Sequence, residues 1–186
     1  MTDWLRRAGR GRRGDDWAIW SVSEGSRGRR WREVVYSGDR VFSALLLETH
    51  PTGTFAHLEL ATASGLLTLH PEGDGTLHGN VVASTGIEHV IGLAWSHANV
   101  ILVSGSPISE AAAILRLAGT MEPFSATSLT GLVIPATLVL DLASVSVERI
   151  SQRDWRFDHN DSMSVDGRGL PLLLESEDWP LELADK

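Results

Sequence analysis

The sequence predicts a mostly β fold, in which a single curved antiparallel sheet forms a half-barrel or barrel with one main covering helix at about residues 106–118. Short runs in which apolar and polar residues alternate follow one another along the chain, and hairpin-length turns separate them. One segment alone has helical character, which disfavours parallel βαβ units because each of those needs its own helix. A sheet of about ten strands has to curl, split or close, so we expect the helix to cover an open face.

The strand-like runs begin after residue 15, and aromatic and β-branched residues dominate the first two, 16–22 and 31–36. Between the runs 66–70 and 76–83, the cluster 71–75 predicts a tight turn because its Asp-Gly pair tolerates positive φ. The remaining predicted strands are 41–48, 54–61, 88–95, 100–104, 129–134, 136–150, 154–158, 162–165 and 170–175.

The one predicted helix has both a start and a stop signal. Ser106 can cap its first turn, and Pro107 suits the first helical position because that position needs no backbone donor. Alanine, isoleucine and leucine fill the segment, and Gly119 can end it. These signals place the helix at 106–118.

The chain has 186 residues and no cysteine. This length fits one domain, which we place at 15–186, after a flexible arginine-rich arm at 1–14. Gly9, Gly11 and Gly14 make a helix costly in that arm. The absence of cysteine and of a signal-peptide pattern favours a cytoplasmic protein, and no run approaches the ~20 apolar residues of a transmembrane segment.

The charge of the chain is unevenly distributed. Residues 1–32 carry nine arginines and four carboxylates, a local charge of +5. The remaining residues carry a charge of −13, which makes the net charge −8. An acidic body repels nucleic acid, so we expect no DNA partner. The arginine-rich segment could contact an anionic lipid or RNA, although a solvated tail is the interpretation that we favour.

No catalytic signature is present in the sequence. The chain has no Gly-x-Ser-x-Gly elbow and no phosphate-binding loop, and its seven histidines lack a metal-binding spacing. We therefore predict no catalytic residue, no metal site and no cofactor, and a non-enzymatic protein is favoured over an enzyme. The alternative is a hydrolase or isomerase that uses a His–carboxylate pair on a small amphipathic substrate.

Several segments rich in Gly, His and Trp carry a resemblance to a known family. They are GLLTLH at 65–70, GTLHGN at 75–80, GIEHVIGLAW at 86–95, GSP at 105–107, DGRGLP at 166–171 and WPLE at 179–182. Over about residues 17–183 the chain resembles the bacterial glycolipid-binding family. The resemblance implies a long curved sheet folded into a half-barrel with helical cover, similar to carriers of lipids and lipoproteins.

The predicted function is non-enzymatic binding of a glycolipid-like or other amphipathic small molecule in an apolar half-barrel cavity. Tryptophan suits both sugar stacking and acyl-chain packing, so Trp20, Trp31, Trp95 and Trp155 would pack the apolar part, although any single Trp can simply fill the core. His70, His78 and Asn80 would bind a polar head group. A third interpretation is a structural or regulatory protein that pairs through an exposed sheet edge, and a homodimer is possible.

Overall fold

A computed structural model of the chain describes residues 6–13, 16–158, 162–172 and 181–183. These residues form a mostly β structure with one helix, which confirms the predicted fold class. Nine strands form sheet A: β1 (Arg6–Arg13), β2 (Asp16–Gly25), β3 (Gly28–Ser37), β4 (Arg40–Thr49), β5 (Phe55–Thr62), β6 (Gly65–Pro71), β7 (Thr76–Ala83), β8 (Gly86–Ala94) and β14 (Leu181–Leu183). Five strands form sheet B: β9 (Leu102–Val103), β10 (Ser125–Ile134), β11 (Val139–Arg149), β12 (Asp154–Phe157) and β13 (Ser162–Ser164).

Sheet A is an antiparallel meander from β1 to β8, and β14 pairs with the free edge of β1. Sheet B is a curled half-barrel with the order β13-β12-β11-β10-β9, in which only β9 and β10 run parallel. The strands therefore divide between two sheets where the sequence suggested one. The division follows β8, where the chain leaves the meander and reaches sheet B through β9 and the helix.

Helix α1 (Pro107–Ala118) lies where the sequence predicts it. The Ser106 side chain accepts a hydrogen bond from the Ser109 N–H at 3.2 Å, so this residue is the N-cap. Eight of the twelve helical residues are buried, on nearly all sides of the helix. A helix apolar around its circumference belongs inside a core, so α1 fills space that the sheets enclose.

The predicted flexible arm needs a correction, because residues 6–13 form strand β1. In its pairing with β2, Gly9 lies opposite Trp20 and Gly11 lies opposite Ala18. Both glycines are buried on the same face as the indole, where the absence of a side chain leaves room for the ring. The alternation of arginine with glycine or alanine was therefore a strand pattern, in which glycine occupies the inward positions.

Two other predictions extend beyond the described residues. For the predicted strand 170–175, the structure shows an isolated bridge between Val165 and Pro171, and residues 173–175 lie outside the described part. One of the seven histidines, His159, also lies outside it.

Candidate functional site

The four tryptophans predicted to line a cavity are buried in the core. Trp20, Trp31 and Trp155 are at most 1% exposed, and Trp95 is 8% exposed. All four belong to one apolar cluster that joins sheet A, α1 and sheet B. A cavity between sheet A and α1, lined by Leu47, Phe55 and helix residues, measures about 10 Å³. This volume holds at most one water molecule.

The local contacts of the indoles are those of core residues. Trp31 Nε1 donates to Thr49 Oγ1 at 3.2 Å, and the Trp95 ring packs edge-on against Phe55 with centroids 5.6 Å apart. The Trp155 ring lies under the Arg149 guanidinium at 5.2 Å. These rings contact the protein itself, as expected if each of them fills the core.

The three predicted polar residues lie on the opposite face of sheet A. In the β6–β7 pairing, Leu67 and Leu69 are fully buried and face inward, so His70 and its cross-strand neighbour His78 face outward. Asn80 also faces outward, and its Oδ1 lies 2.7 Å from Nδ1 of His89. The sheet thus separates these residues from the tryptophans, and no described site contains all seven predicted residues.

The His–carboxylate pairs required by the enzymatic alternative also lie on this outward face. His57 Nε2 is 3.0 Å from Glu59 Oε1, and His70 Nε2 is 3.1 Å from Glu72 Oε1. Neither pair lines either of the two clefts described below. Among residues 6–13, 16–158, 162–172 and 181–183, no three His, Cys, Asp or Glu side chains come close enough to hold a metal ion.

Sequence reasoning missed a buried carboxyl group beneath the start of α1. Glu33 is 3% exposed, lies opposite Trp20 in the β2–β3 pairing, and accepts hydrogen bonds from the Ser106 side chain and the Ile108 backbone. Burial raises the pKa of the Glu33 carboxyl to about 7, and these hydrogen bonds offset only part of that effect. The signal was its position two residues after Trp31, which places it on the inward face of β3.

An open cleft lies between α1, β12 and the turn 166–169, and we call it the arginine cleft. Its volume is about 390 Å³. Four guanidinium groups surround a floor formed by apolar side chains. The arginines are Arg29, Arg149, Arg153 and Arg168, and the floor contains Ile114, Leu115, Trp155 and Val165.

Two of these arginines are held by the protein. Arg149 donates to the carbonyl oxygens of Ala118, Met121, Ser151 and Gln152, so it satisfies the C-terminal end of α1. Arg29 lies 3.3 Å from a Glu24 carboxylate oxygen and donates to the Arg168 carbonyl at 2.6 Å. Arg149 keeps its positive charge in the wall of the cleft, whereas the charge of Arg29 is offset by the Glu24 carboxylate.

The other two arginines, Arg153 and Arg168, are exposed at the mouth of the cleft on turns with fixed backbones. Asp166 Oδ1 accepts from the Arg168 N–H at 2.8 Å and from the Leu170 N–H at 2.9 Å. The side chains of Ser151 and Ser164 donate to Asp154, and these hydrogen bonds lower the pKa of that carboxyl. The turns therefore place two exposed guanidinium groups at the mouth of the cleft.

A second cleft continues from the first, and we call it the phenylalanine cleft. It measures about 560 Å³, is lined by 118–124 and by Arg149, Ser151 and Gln152, and shares Ala118, Arg149 and Gln152 with the arginine cleft. Phe124 in its wall is 85% exposed and has φ of 63°, a left-handed conformation that is strained for an aromatic residue. Strain combined with an exposed ring is typical of a functional position.

The fold and these clefts define a two-sheet, half-barrel β protein with a helix inside and an amphipathic surface cleft beside that helix. The structure of this chain is similar to a crystal structure of a DUF1089 family protein from Pseudomonas aeruginosa, with a TM-score of 0.53 and 13% sequence identity. The match covers 87% of this chain and 84% of that one. At this identity the likeness shows the fold alone. No family model and no curated protein matches the chain, so the comparisons do not support the glycolipid-binding family that the sequence resembles. No helix of the described residues is long and apolar enough to cross a membrane.

Proposed function

We propose that the protein binds an amphipathic small molecule with an anionic head group, without catalysing a reaction on it. The observation that carries the proposal is the combination of four arginines with an apolar floor in one open cleft of about 390 Å³. Ligand sites of this size are mostly apolar, with a few charged groups that orient the ligand. This is the class of ligand that the sequence predicts. The proposed binding site is a surface cleft, whereas the sequence predicted an interior cavity.

The arginine cleft would bind the head group. Arg153 and Arg168 can turn towards a ligand because they are exposed, whereas Arg29 and Arg149 are already held in place. Planar guanidinium groups bind phosphate or carboxylate oxygens through paired hydrogen bonds. Of the seven basic residues beyond residue 32, three line this cleft (Arg149, Arg153 and Arg168), although twenty acidic residues share that part of the chain.

The phenylalanine cleft would bind the apolar part of the ligand. Phe124 and Met121 line it directly beside the arginine cleft, so a chain attached to the head group could extend across both. Burying alkyl carbons against these side chains would add about 0.8 kcal/mol per methylene group. The exposed, strained ring of Phe124 would thereby acquire a partner.

The proposal can be tested by titrating the protein with dodecyl phosphate and, separately, with dodecyl maltoside below their micelle-forming concentrations. Tryptophan fluorescence is a suitable signal because Trp155 forms part of the cleft floor. We expect saturable binding of dodecyl phosphate, with at least about tenfold weaker affinity in Arg153→Gln/Arg168→Gln, because two charge-assisted contacts are lost. Phe124→Ala should weaken the binding of dodecyl phosphate and leave the weak binding of inorganic phosphate unchanged.

A matched control is Arg40→Gln, which removes an exposed arginine at the start of β4, away from both clefts. Equal affinities for this variant and the double variant would contradict the proposal. Tight binding of dodecyl maltoside that is insensitive to the arginine variants would instead indicate a neutral glycolipid-like ligand elsewhere on the molecule.

The enzymatic alternative rests on the His57–Glu59 and His70–Glu72 pairs, which have hydrogen-bonding geometry suited to a general base. These pairs lie on an open face with no enclosing cleft described around them. Turnover of an ester such as p-nitrophenyl butyrate that is abolished by His57→Gln or His70→Gln would favour this function over binding.

A further inference from the structure

The two margins of sheet A differ in whether a strand covers them. At one margin, β14 pairs with β1 over residues 9–11, so the chain supplies its own covering strand. At the other margin, β8 is the last strand, and no other strand of the described residues pairs with it. A strand without a neighbour presents a row of backbone N–H and C=O groups that another extended chain can pair with. Strand β8 is therefore an open edge of the part of the chain that the structure describes.

Strand β8 is also long and exposed for an edge strand. It has nine residues, of which seven are exposed and two, Val90 and Leu93, are half-buried. The edge strands of sheet B, β9 and β13, have only two and three residues. Very short edge strands are one of the means by which proteins prevent unwanted strand pairing, and β8 does not use it.

The sequence of β8 lacks the residue types that usually block an edge. Lysine and proline have this effect, and β8 contains neither of them. Its two isoleucines, Ile87 and Ile91, are instead 63% and 68% exposed. A β-branched residue gains stability from an apolar residue directly opposite on a neighbouring strand. Ile87 therefore favours an apolar residue on any strand that pairs with this edge.

The part of β8 that can accept a strand is 86–90, which we call the open edge stretch. Here the pairing with β7 is regular. The register then shifts, so that Ile91 and Gly92 lie opposite the single residue His78, and Gly92 has φ of 67°. A bulge of this kind bends the strand and interrupts pairing. An added strand would therefore pair with the open edge stretch and end at the bulge.

Glu88 lies at the centre of the open edge stretch. It is exposed, lies opposite Val81, and its carboxylate has no hydrogen bond or ion pair with the described residues. If two copies of the chain paired over the whole stretch about a two-fold axis, the two Glu88 residues would lie directly opposite each other. Like charges in that position are destabilising. A strand with a basic residue at this position is the better partner.

The covered margin of sheet A shows the same arrangement with the charges exchanged. Strand β14 has the sequence Leu-Glu-Leu, and its register places Glu182 opposite Arg10 of β1. There, an acidic residue between two apolar residues pairs with a basic residue of the edge strand. At β8 the edge residue is acidic, so the complementary strand has a basic residue between two apolar residues.

We propose that β8 binds an extended segment of another polypeptide as an added strand over the open edge stretch, with a lysine or arginine opposite Glu88 and a β-branched residue opposite Ile87. Backbone hydrogen bonds would supply the affinity, and these two side-chain positions would supply the selectivity. Neither residue lines the arginine cleft or the phenylalanine cleft, so this proposal and the proposed function stand or fall separately.

The test is an NMR titration of the isotope-labelled protein with a capped peptide of sequence STVKVTS, whose lysine can lie opposite Glu88. We expect saturable shifts confined to amides in and beside β8, together with slower hydrogen exchange of the β8 amides that point away from β7. The matched peptide STVEVTS should bind at least about threefold more weakly, because it places a second carboxylate beside Glu88. Glu88→Lys should reverse the preference between the two peptides.

A second variant tests the edge itself. Ile87→Lys should weaken the binding of STVKVTS at least about fivefold, because it places on the edge a residue type that disfavours strand pairing. The matched control is Val139→Lys, the same charge introduced at a 55% exposed valine on sheet B, which should leave the affinity unchanged. Circular dichroism of each variant checks that the fold is retained.

Three results would overturn this proposal. The first is the absence of shifts in β8 at peptide concentrations up to about 1 mM, where even weak binding is detectable. The second is binding of both peptides with equal affinity by the wild type and by Glu88→Lys. The third is a dimer in which the β8 amides are already protected without peptide, which would assign the edge to a second copy of the chain.

Discussion

The two faces of sheet A differ in what covers them. The inward face is closed by the protein's own helix and second sheet, and its residues from Trp20 to Leu77 are almost fully buried. The outward face is polar on one half and apolar on the other, and it remains open. This difference teaches that tryptophan and histidine, which both suit a ligand site by type, are assigned to separate surfaces by their positions along alternating strands.

The largest expected effect is on the free energy of unfolding, when leucines on the two faces of one strand are each replaced by alanine. Leu69 on β6 is fully buried, whereas Leu66 on the same strand is 37% exposed. Leu69→Ala should lower the free energy of unfolding by about 2–5 kcal/mol because it creates a cavity in the core. Leu66→Ala should lower it by at most about 1 kcal/mol.

Urea unfolding at low protein concentration measures both variants without a contribution from self-association. Equal losses for the two leucines would mean that the outward face is packed in solution as tightly as the inward face. That result would remove the contrast between the two faces of the sheet.

A smaller effect is expected from the buried carboxyl group on the inward face. The pKa of Glu33 is about 7 in the folded protein and about 4.5 when unfolded, so the folded state binds more protons between these two pH values. Stability is therefore greatest below about pH 4.5 as far as this group is concerned, and it falls as pH rises to about 7. The loss should be on the order of 3 kcal/mol.

Glu33→Gln should remove this pH dependence and should be more stable than the wild type at pH 8, since the amide never ionises. The measurement is the free energy of unfolding at pH 5 and pH 8 for both proteins. A matched control is Glu59→Gln on the outward face, which should leave the pH dependence as it is. An unchanged slope in Glu33→Gln would show that this carboxyl group is hydrated in the folded state.

Much of the fold could be predicted from the sequence because period-two patterning and turn residues are local signals. The helix was predicted at its observed place, since Ser106 and Pro107 mark its start. The division into two sheets could not be predicted, because it depends on where distant strands pair. Strand β1 was missed because glycine usually weakens a strand. Gly9 leaves room for the Trp20 ring only because the two residues pair across strands, and the sequence does not show that pairing.

The candidate site was less accessible to sequence reasoning than the fold. Of the predicted residues, only Trp155 lines the arginine cleft, and it does so as a buried floor. The arginines that surround it lie at positions 29, 149, 153 and 168, so tertiary structure alone brings them together. Phe124 carries no sequence signal either, because its exposure and positive φ are properties of the folded chain.

The smallest expected change in the free energy of unfolding comes from substituting the outward polar residues that were predicted to bind a head group. His70→Ala and Asn80→Ala should each change the free energy of unfolding by at most about 0.5 kcal/mol, because their side chains are partly exposed and their hydrogen bonds compete with water. Neither substitution should change the affinity for dodecyl phosphate, since both residues lie outside the arginine cleft. A loss of affinity in Asn80→Ala but not in Arg153→Gln would place the ligand on the outward face, and the predicted histidines would then contact it without the predicted tryptophans.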